Sequence, residues 1–292
     1  MRAAPRGRRA APLPVRDGLG PARVRLRGGA VLVELADRFG EGAAAKVLDG
    51  EVVTSDGSVV GAATVLPPGA FVYLYRELRE EVPVPFDMPI LHRDDDIIVV
   101  DKPHFLATMP RGGHVAQTAL VRLRRQLDMP TLSPAHRLDR LTAGVLLFTT
   151  RREVRGAYQT MFARSLVHKT YLARAGVNPD IELPRVLSSR IIKRRGQLQA
   201  FEEPGEPNAE TRVEHIGDGV YRLTPRTGRT HQLRVHMAAL GIPITGDTLY
   251  PNVIDVAPDD FSQPLQLIAH SLEFDDPYSG ERRAFVSRRS LA

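Results

Sequence analysis

Pro134 to Gly144 reads PAHRLDRLTAG, and Val145 to Thr149 continue it as VLLFT. His136, Arg137, Asp139, Arg140 and Thr142 stand between a proline and a glycine, at the lip of an apolar run short enough to predict a buried strand. Charged groups gathered at such a lip are costly unless they serve one another or a ligand. Arg137 and Asp139 are two apart, so an extended backbone directs both to one side. The plain alternative is a surface loop of ion pairs, which stabilises little.

Working outward, Asp96–Asp101 (DIIVVD) predicts a second buried strand. Ala116, Ala119, Leu120, Leu123 and Leu127 fall at helical spacing within 115–128, and Val154, Tyr158, Met161 and Phe162 form the next helical stripe. Lys169–Ala175, Gln266–Phe274 and Arg283–Ser287 predict strands. Thr211–Ile216 and Gly219–Pro225 predict a hairpin around Gly217-Asp218. Gly228–Leu240 carries Leu233, Met237 and Leu240 at helical spacing, with Gly241 as a stop. Helices interspersed with hairpins predict an α+β fold: a mixed, largely antiparallel sheet with flanking helices.

The chain of 292 residues is long enough for two domains. Residues 1–22, rich in Arg, Pro and Gly without periodicity, predict a flexible basic arm; an organellar transit peptide is the lesser reading. Residues 23–85 predict a small domain. Val24–Arg38 and Ala43–Leu48 are short helices or strands, Val52–Thr54 and Val59-Val60 a strand pair, and Ala70–Tyr75 a strand. The Pro-punctuated Val82–Pro85 reads as a linker, and 86–292 as the larger domain.

A net charge of +6 favours an anionic partner such as nucleic acid or a membrane surface. The absence of cysteine excludes disulfides, thiolate catalysis and cysteine-ligated metal. No apolar run is long enough to span a bilayer, and no secretory signal is legible, so a cytoplasmic protein is expected. The GxxxxGK[ST] and GxSxG motifs are absent.

A second polar segment, Thr227–His236 (TGRTHQLRVH), puts Arg229, His231, Gln232, Arg234 and His236 at a turn and helix start. There Arg229 and the positive helix end suit a carboxylate or phosphate. His231 and His236 are five apart with no Glu between them, which does not match helical zinc ligands, so no metal is expected. The alternative is a helix with a solvated polar face. Lys169–Ala173 (KTYLA) and Leu267–Phe274 (LIAHSLEF) read alone as packed strands.

Together, in this order, HRLDRLTAG, KTYLA, GRTHQLRVH and LIAHSLEF resemble the RluA-type pseudouridine synthases, whose pattern is HRLDxxTSG, K-x-Y-x-A, GR-[ST]-H-Q-[LI]-R-x-H and LHA-x-x-L-x-F. Ala143 replaces a Ser of that pattern and Ile268 a His. The resemblance spans about residues 86–285. It implies the bent mixed sheet of that catalytic fold, and isomerisation of uridine to pseudouridine in structured RNA, ribosomal or transfer. It implies Asp139 as the essential carboxylate, Arg229 as its ion-pair partner and Tyr171 as the ring near the target base. Arg137 would enter the RNA helix, Leu272 would wall the pocket, and His136 and His231 would touch substrate. Nothing is redox or consumed, so no cofactor, nucleotide or metal is expected. Nothing demands more than a monomer.

Phosphate contacts are expected from Arg122, Arg124 and Arg125, from Arg190, Lys193, Arg194 and Arg195, and from Arg282, Arg283, Arg288 and Arg289, with Arg194 and Arg195 on a flexible basic finger. The small N-terminal domain fits an RNA-binding module of the kind ribosomal proteins share, or an unrelated docking subdomain. Two rival functions are an RNA-binding protein built on a retired enzyme and a glycoside hydrolase. The trio Asp139, Tyr171 and Arg229 argues against the first. The other carboxylates near the motif, Asp128 and Glu153, sit in none of the four segments, which argues against the other.

Overall fold

In the computed structural model, which describes residues 11–78 and 80–292, the chain divides into two compact units, Met1–Glu80 and Glu81–Ala292. In the first, β1 (Ala22–Arg25), β5 (Phe71–Leu74) and β3 (Val53–Thr54) form an antiparallel sheet in that order, and β2 (Gly29–Ala30) pairs with β4 (Val65–Leu66). Helices α1 (Val31–Phe39) and α2 (Glu41–Leu48) bury Val31, Leu35, Ala43 and Val47 against Val52, Val60 and Val72.

The arm expected over 1–22 is open to description only in part, because residues 1–10 lie outside the described residues. Of the rest, Pro14 accepts a hydrogen bond from the Tyr75 hydroxyl (2.8 Å), and Arg16 lies over the Tyr75 ring (4.1 Å). A single aromatic side chain thus anchors a stretch that has no periodicity of its own.

The stretch 82–85, expected as a linker, is packed into the second unit. Glu81 accepts the backbone N–H groups of Val115, Ala116 and Gln117, Val84 is buried, and Arg122 donates to the Val84 carbonyl (2.6 Å). Pro83 and Pro85 suit an extended strand-like path whose acceptors are met from another element.

The second unit is built on one sheet of eleven strands. In chain order its elements are β6 (Ile90–Arg93), β7 (Ile97–Lys102), α3 (Ala119–Leu127), β8 (Ser133–Pro134), β9 (Ala143–Thr149), α4 (Arg152–Ala163) and β10 (His168–Arg174). There follow β11 (Arg185–Ile192), β12 (Phe201–Glu203), β13 (Ala209–Gly217), β14 (Val220–Pro225), α5 (Gln232–Ala239), β15 (Leu267–Asp275) and β16 (Arg282–Val286). The sheet runs β12-β11-β13-β14-β10-β15-β9-β7-β6, with β16 on β15 and β8 on β9. Among the described residues its pairings are antiparallel except β15 with β9, where Ile268 faces Ala143 and Ala269 faces Gly144. The sheet is therefore mixed and largely antiparallel, as the sequence implied.

The unbroken apolar runs of β7 and β9 have a simple cause. Ile98, Val100, Leu146 and Phe148 point to one core with Leu120 and Leu123 of α3 and Leu233 and Met237 of α5. Ile97, Val99, Val145 and Leu147 point to the other, against Val154, Tyr158 and Met161 of α4 and Leu272 and Phe274 of β15. Both faces are buried, so alternation of polarity is lost and both strands read as continuous hydrophobics. Among the described residues no helix is long and apolar enough to cross a membrane.

Candidate active site

Residues 135–142 link β8 to β9 and carry Asp139. The turn closes where Thr142 N–H donates to the Asp139 carbonyl (3.2 Å). Neighbouring carbonyls are fixed from elsewhere. Thr108 Oγ1 donates to Leu138 O (2.8 Å) and accepts from Leu138 N (3.0 Å). Lys102 Nζ reaches Arg140 O (3.4 Å), and His104 Nδ1 donates to Leu141 O (2.7 Å).

Lys102 is wholly buried and also donates to Pro103 O (2.9 Å) and Leu106 O (2.7 Å); burial drives its pKa well down. Burial likewise lowers His104 to about 4, which leaves a neutral ring with one N–H to give. Lys102, His104 and Thr108 thus hold the backbone of the segment, a role the sequence did not reveal because each partner lies 30 or more residues away.

The segment ends at Gly144, where φ is 111°. A Cβ there would stand 2.2 Å from Ala269 O, so only glycine allows β15 to lie parallel against β9.

A cavity of about 350 Å³ opens over this segment, within the range of small-molecule sites. Of the residues singled out in the sequence, His136, Arg137, Asp139, Tyr171, Arg229 and His231 all line it. The Asp139 side chain is 23% exposed, so its carboxylate is reachable from the cavity. Tyr171 enters from β10, and its hydroxyl pKa is pushed well up by burial and then by the Asp139 charge. Arg137 is exposed and makes no hydrogen bond or ion pair among the described residues.

His136 stacks on Phe162 (4.3 Å between centroids, 17° between planes), and its Nε2 accepts the Leu147 N–H (3.1 Å). Burial, with Lys169 second, lowers its pKa to about 3. It is a neutral wall residue whose one free polar atom is Nδ1.

The cation at Asp139 is Arg234, with Nη1 4.0 Å from Oδ2. Arg229, which the resemblance put in that place, is exposed and turns its Nε to Asn208 O (2.9 Å). The reason is local. Arg229 precedes the helix, in a turn where Gln232 Oε1 accepts from Arg229 N (3.0 Å) and from Thr227 Oγ1 (2.7 Å), whereas Arg234 sits on the first turn of α5 and points inward.

Arg234 is 2% exposed and donates through Nε (2.8 Å) and Nη2 (2.6 Å) to Asp247, whose side chain is wholly buried. Burial opposes the Arg234 charge, but Asp247 and then Asp139 more than offset it, and its pKa is raised. Asp247 Oδ1 also accepts from Leu249 N (2.8 Å) and Tyr250 N (3.1 Å). A signal for Arg234 was present: it lies three residues before Met237, on the apolar face of the helix.

His231 takes a left-handed conformation (φ 59°) at the start of α5, and its Nδ1 meets the Tyr250 hydroxyl (2.9 Å). Burial lowers its pKa, against the pull of Asp139.

Other expectations are corrected. Leu272 does not line the cavity; it is buried on the opposite face with Phe274, and Leu267 supplies the apolar wall. Alternation along β15 puts Leu267 and Ala269 in one core and Leu272 and Phe274 in the other.

Arg194 and Arg195 also lie off the cavity, in the loop that joins β11 to β12 as a hairpin. Lys193 Nζ closes its loop on Leu198 O (2.8 Å), Arg194 pairs with Glu203, and Arg195 is exposed. Several of the arginines expected at phosphates serve the protein instead. Arg122 binds Val84 O and Phe86 O, Arg124 binds Leu132 O, Arg282 binds Glu273, Arg283 binds Asp94, and Arg289 binds Asp87 O and Asp101 O.

Residues 96–239 match the family described as RNA pseudouridylate synthase. The chain is similar to the dual-specificity RNA pseudouridine synthase RluA of Escherichia coli, 35% identical over 208 residues, which are 67% of this chain and 90% of the relative. It is also 30% identical over 203 residues to an RNA pseudouridine synthase of Synechocystis, covering 67% of this chain and 69% of that one. Among solved structures, human RNA pseudouridylate synthase domain containing 1 superposes with a TM-score of 0.55 at 26% identity, over 72% of this chain and 86% of that one.

Proposed function

The chain belongs to the RNA pseudouridylate synthase family, of the RluA type, and isomerises uridine to pseudouridine in RNA; from that premise we propose that Asp139 is the carboxylate that acts on the target nucleotide. The observation that carries the assignment is the Asp139 carboxylate, open to the cavity, with the Arg234 guanidinium 4.0 Å behind it and Tyr171 close enough to sense its charge.

The reaction breaks the bond from ribose carbon 1 to base nitrogen 1, turns the base, and joins the same ribose carbon to base carbon 5. The proton displaced from carbon 5 is balanced by one taken up at nitrogen 1, so no atom or electron is supplied from outside, and no nucleotide or metal is needed for the balance. A carboxylate serves such a sequence as a nucleophile or as a base, and both roles need the ionised form. Arg234 favours that form, since an opposite charge beside a carboxylate stabilises the anion.

A stacked base cannot enter the cavity. The uridine is flipped out at a cost of a few kcal/mol, offset by interactions made once it is out. Arg137, exposed and without a partner among the described residues, stands at the cavity rim, which supports the role of filling the vacated stack. The Tyr171 ring supports packing on the uracil face, and its raised pKa keeps the hydroxyl protonated near neutral pH. The substrate we infer is a structured ribosomal or transfer RNA, bound by a monomer, with the unit Met1–Glu80 as an accessory RNA-binding element.

The test is tritium release from RNA labelled at uridine carbon 5, drawn from cells lacking the gene, with the natural protein and with Asp139→Asn. Release is expected from the first and none from the second. Equal release from both would remove Asp139 from its proposed role.

A further inference from the structure

Asp139 and Arg140 are consecutive, yet they line different cavities. Asp139 lines the candidate active-site cavity, while Arg140 lines a second one of about 470 Å³. The Arg234–Asp247 ion pair stands between them: Arg234 lines the first cavity and Asp247 the second. The second cavity also has an apolar wall that includes Phe105, Leu141 and Ile254, with Ile254 59% exposed at its mouth.

The Arg140 guanidinium is partly buried and makes no hydrogen bond or ion pair among the described residues; only its backbone carbonyl is bound, by Lys102. Its charged neighbour is another cation, Arg234, and burial followed by Arg234 lowers its pKa. The two carboxylates lining the cavity are engaged elsewhere. Asp247 holds Arg234, and Asp260 accepts from Ser262 N (2.9 Å) and Ser262 Oγ (2.6 Å).

An arginine remains charged in a protein, so a guanidinium drawn out of water beside a second one, with no counter-charge, raises the free energy of the unliganded protein. An anion placed there removes that penalty and makes charge-assisted hydrogen bonds. RNA carries a phosphate at every nucleotide, and Arg140 is the residue next to Asp139 in the chain.

We propose that Arg140 is a phosphate anchor for the substrate strand, binding the phosphodiester that flanks the flipped uridine, with the second cavity giving the adjoining nucleotide its room. The proposal rests on RNA being the substrate. It assigns Arg140 to positioning, outside the chemical step.

The test measures affinity for a labelled RNA hairpin with an all-uridine loop at several salt concentrations, together with the melting temperature of the free protein. Arg140→Gln is expected to flatten the slope of log affinity against log salt by about 0.7–0.9, as when one phosphate fewer is neutralised. Arg140→Lys is expected to restore the slope. The melting temperature of Arg140→Gln is expected to be unchanged or higher, because an uncompensated cation has been removed.

A slope equal to that of the natural protein would overturn the proposal. So would a fall in slope accompanied by a lower melting temperature that Arg140→Lys does not restore, since that pattern belongs to a structural arginine. Tritium release by the natural protein, measured in parallel, keeps the two readings apart: its absence counts against the isomerase, an unchanged slope against the anchor.

Discussion

Arg234 grips Asp247 through Nε at 2.8 Å and Nη2 at 2.6 Å, and this leaves Nη1 4.0 Å from Asp139. One guanidinium is thereby shared between a wholly buried carboxylate that fixes it and a reachable one that uses it.

The first prediction concerns that fixing. Asp247→Ala leaves Arg234 buried without its bidentate partner and is expected to cost about 3–5 kcal/mol of stability. Asp247→Asn still offers a side-chain oxygen to Leu249 N and Tyr250 N, so it is expected to fold, but with the guanidinium displaced its turnover should fall about 10–100-fold. RNA affinity should change little. Denaturation curves and tritium-release rates check both; Asp247→Asn with natural kcat would show that Arg234 needs no such anchor.

Two arginines of one motif are expected to behave differently. Arg234→Lys keeps a charge but loses the fork that meets Asp247, and its kcat should drop about 100-fold or more. Arg229→Ala removes an exposed side chain bound to Asn208 O and should leave kcat within about threefold, with any loss in RNA affinity. The comparison is a pair of single-turnover rates. The reverse order of effects would restore Arg229 as the partner of Asp139.

Gly144→Ala is expected to be strongly destabilising. The added Cβ would meet the Ala269 carbonyl oxygen at 2.2 Å, and φ is 111°, where a side chain is strained. Neither strand can yield without disturbing the segment that carries Asp139. A loss of about 3–5 kcal/mol, seen as a melting temperature lower by about 6–20 °C, is the expected result. A variant that melts within a degree of the natural protein would mean that β9 and β15 part easily.

Stability should also depend on pH through His136. Its folded-state pKa, about 3, lies below the ordinary 6.5 because of burial and Lys169. Between those values the unfolded chain holds more protons than the folded one, so stability is full above about pH 6.5 and is lost as pH falls toward 3. His136→Gln can still accept the Leu147 N–H but does not titrate. It should be less stable than the natural protein at pH 7, through the lost stack on Phe162, and should show a flatter decline on acidification. Parallel declines in the two proteins would remove His136 from the acid response.

Much of the fold was legible because local rules act within a few residues. The apolar runs of β7 and β9, the hairpin at Gly217-Asp218-Gly219 with its three positive φ angles, and the stripes of α3 and α4 are patterns set by backbone geometry and by which faces are buried. Helix α5 was harder to read. Gln232 and His236 look like a solvated face, yet both are buried, Gln232 on Glu210 O and Thr211, and His236 between Ser189 and Thr211. Their partners sit on β11 and β13, so the polarity of the helix gives no sign of its burial.

The sequence by itself determined the class of fold and the four motifs, whose resemblance implies Asp139 as the central carboxylate, because such motifs are local patterns of residue type and spacing. Only the tertiary structure decided which cation serves it, which side of β15 walls the cavity, and which basic residues remain free for RNA. Those choices depend on an acceptor 13 residues away at Asp247, on which of the two cores each face of β15 packs into, and on carbonyls that claim Arg122 and Arg124. A side chain's charge is written in the sequence; what neutralises it is set by packing between distant segments.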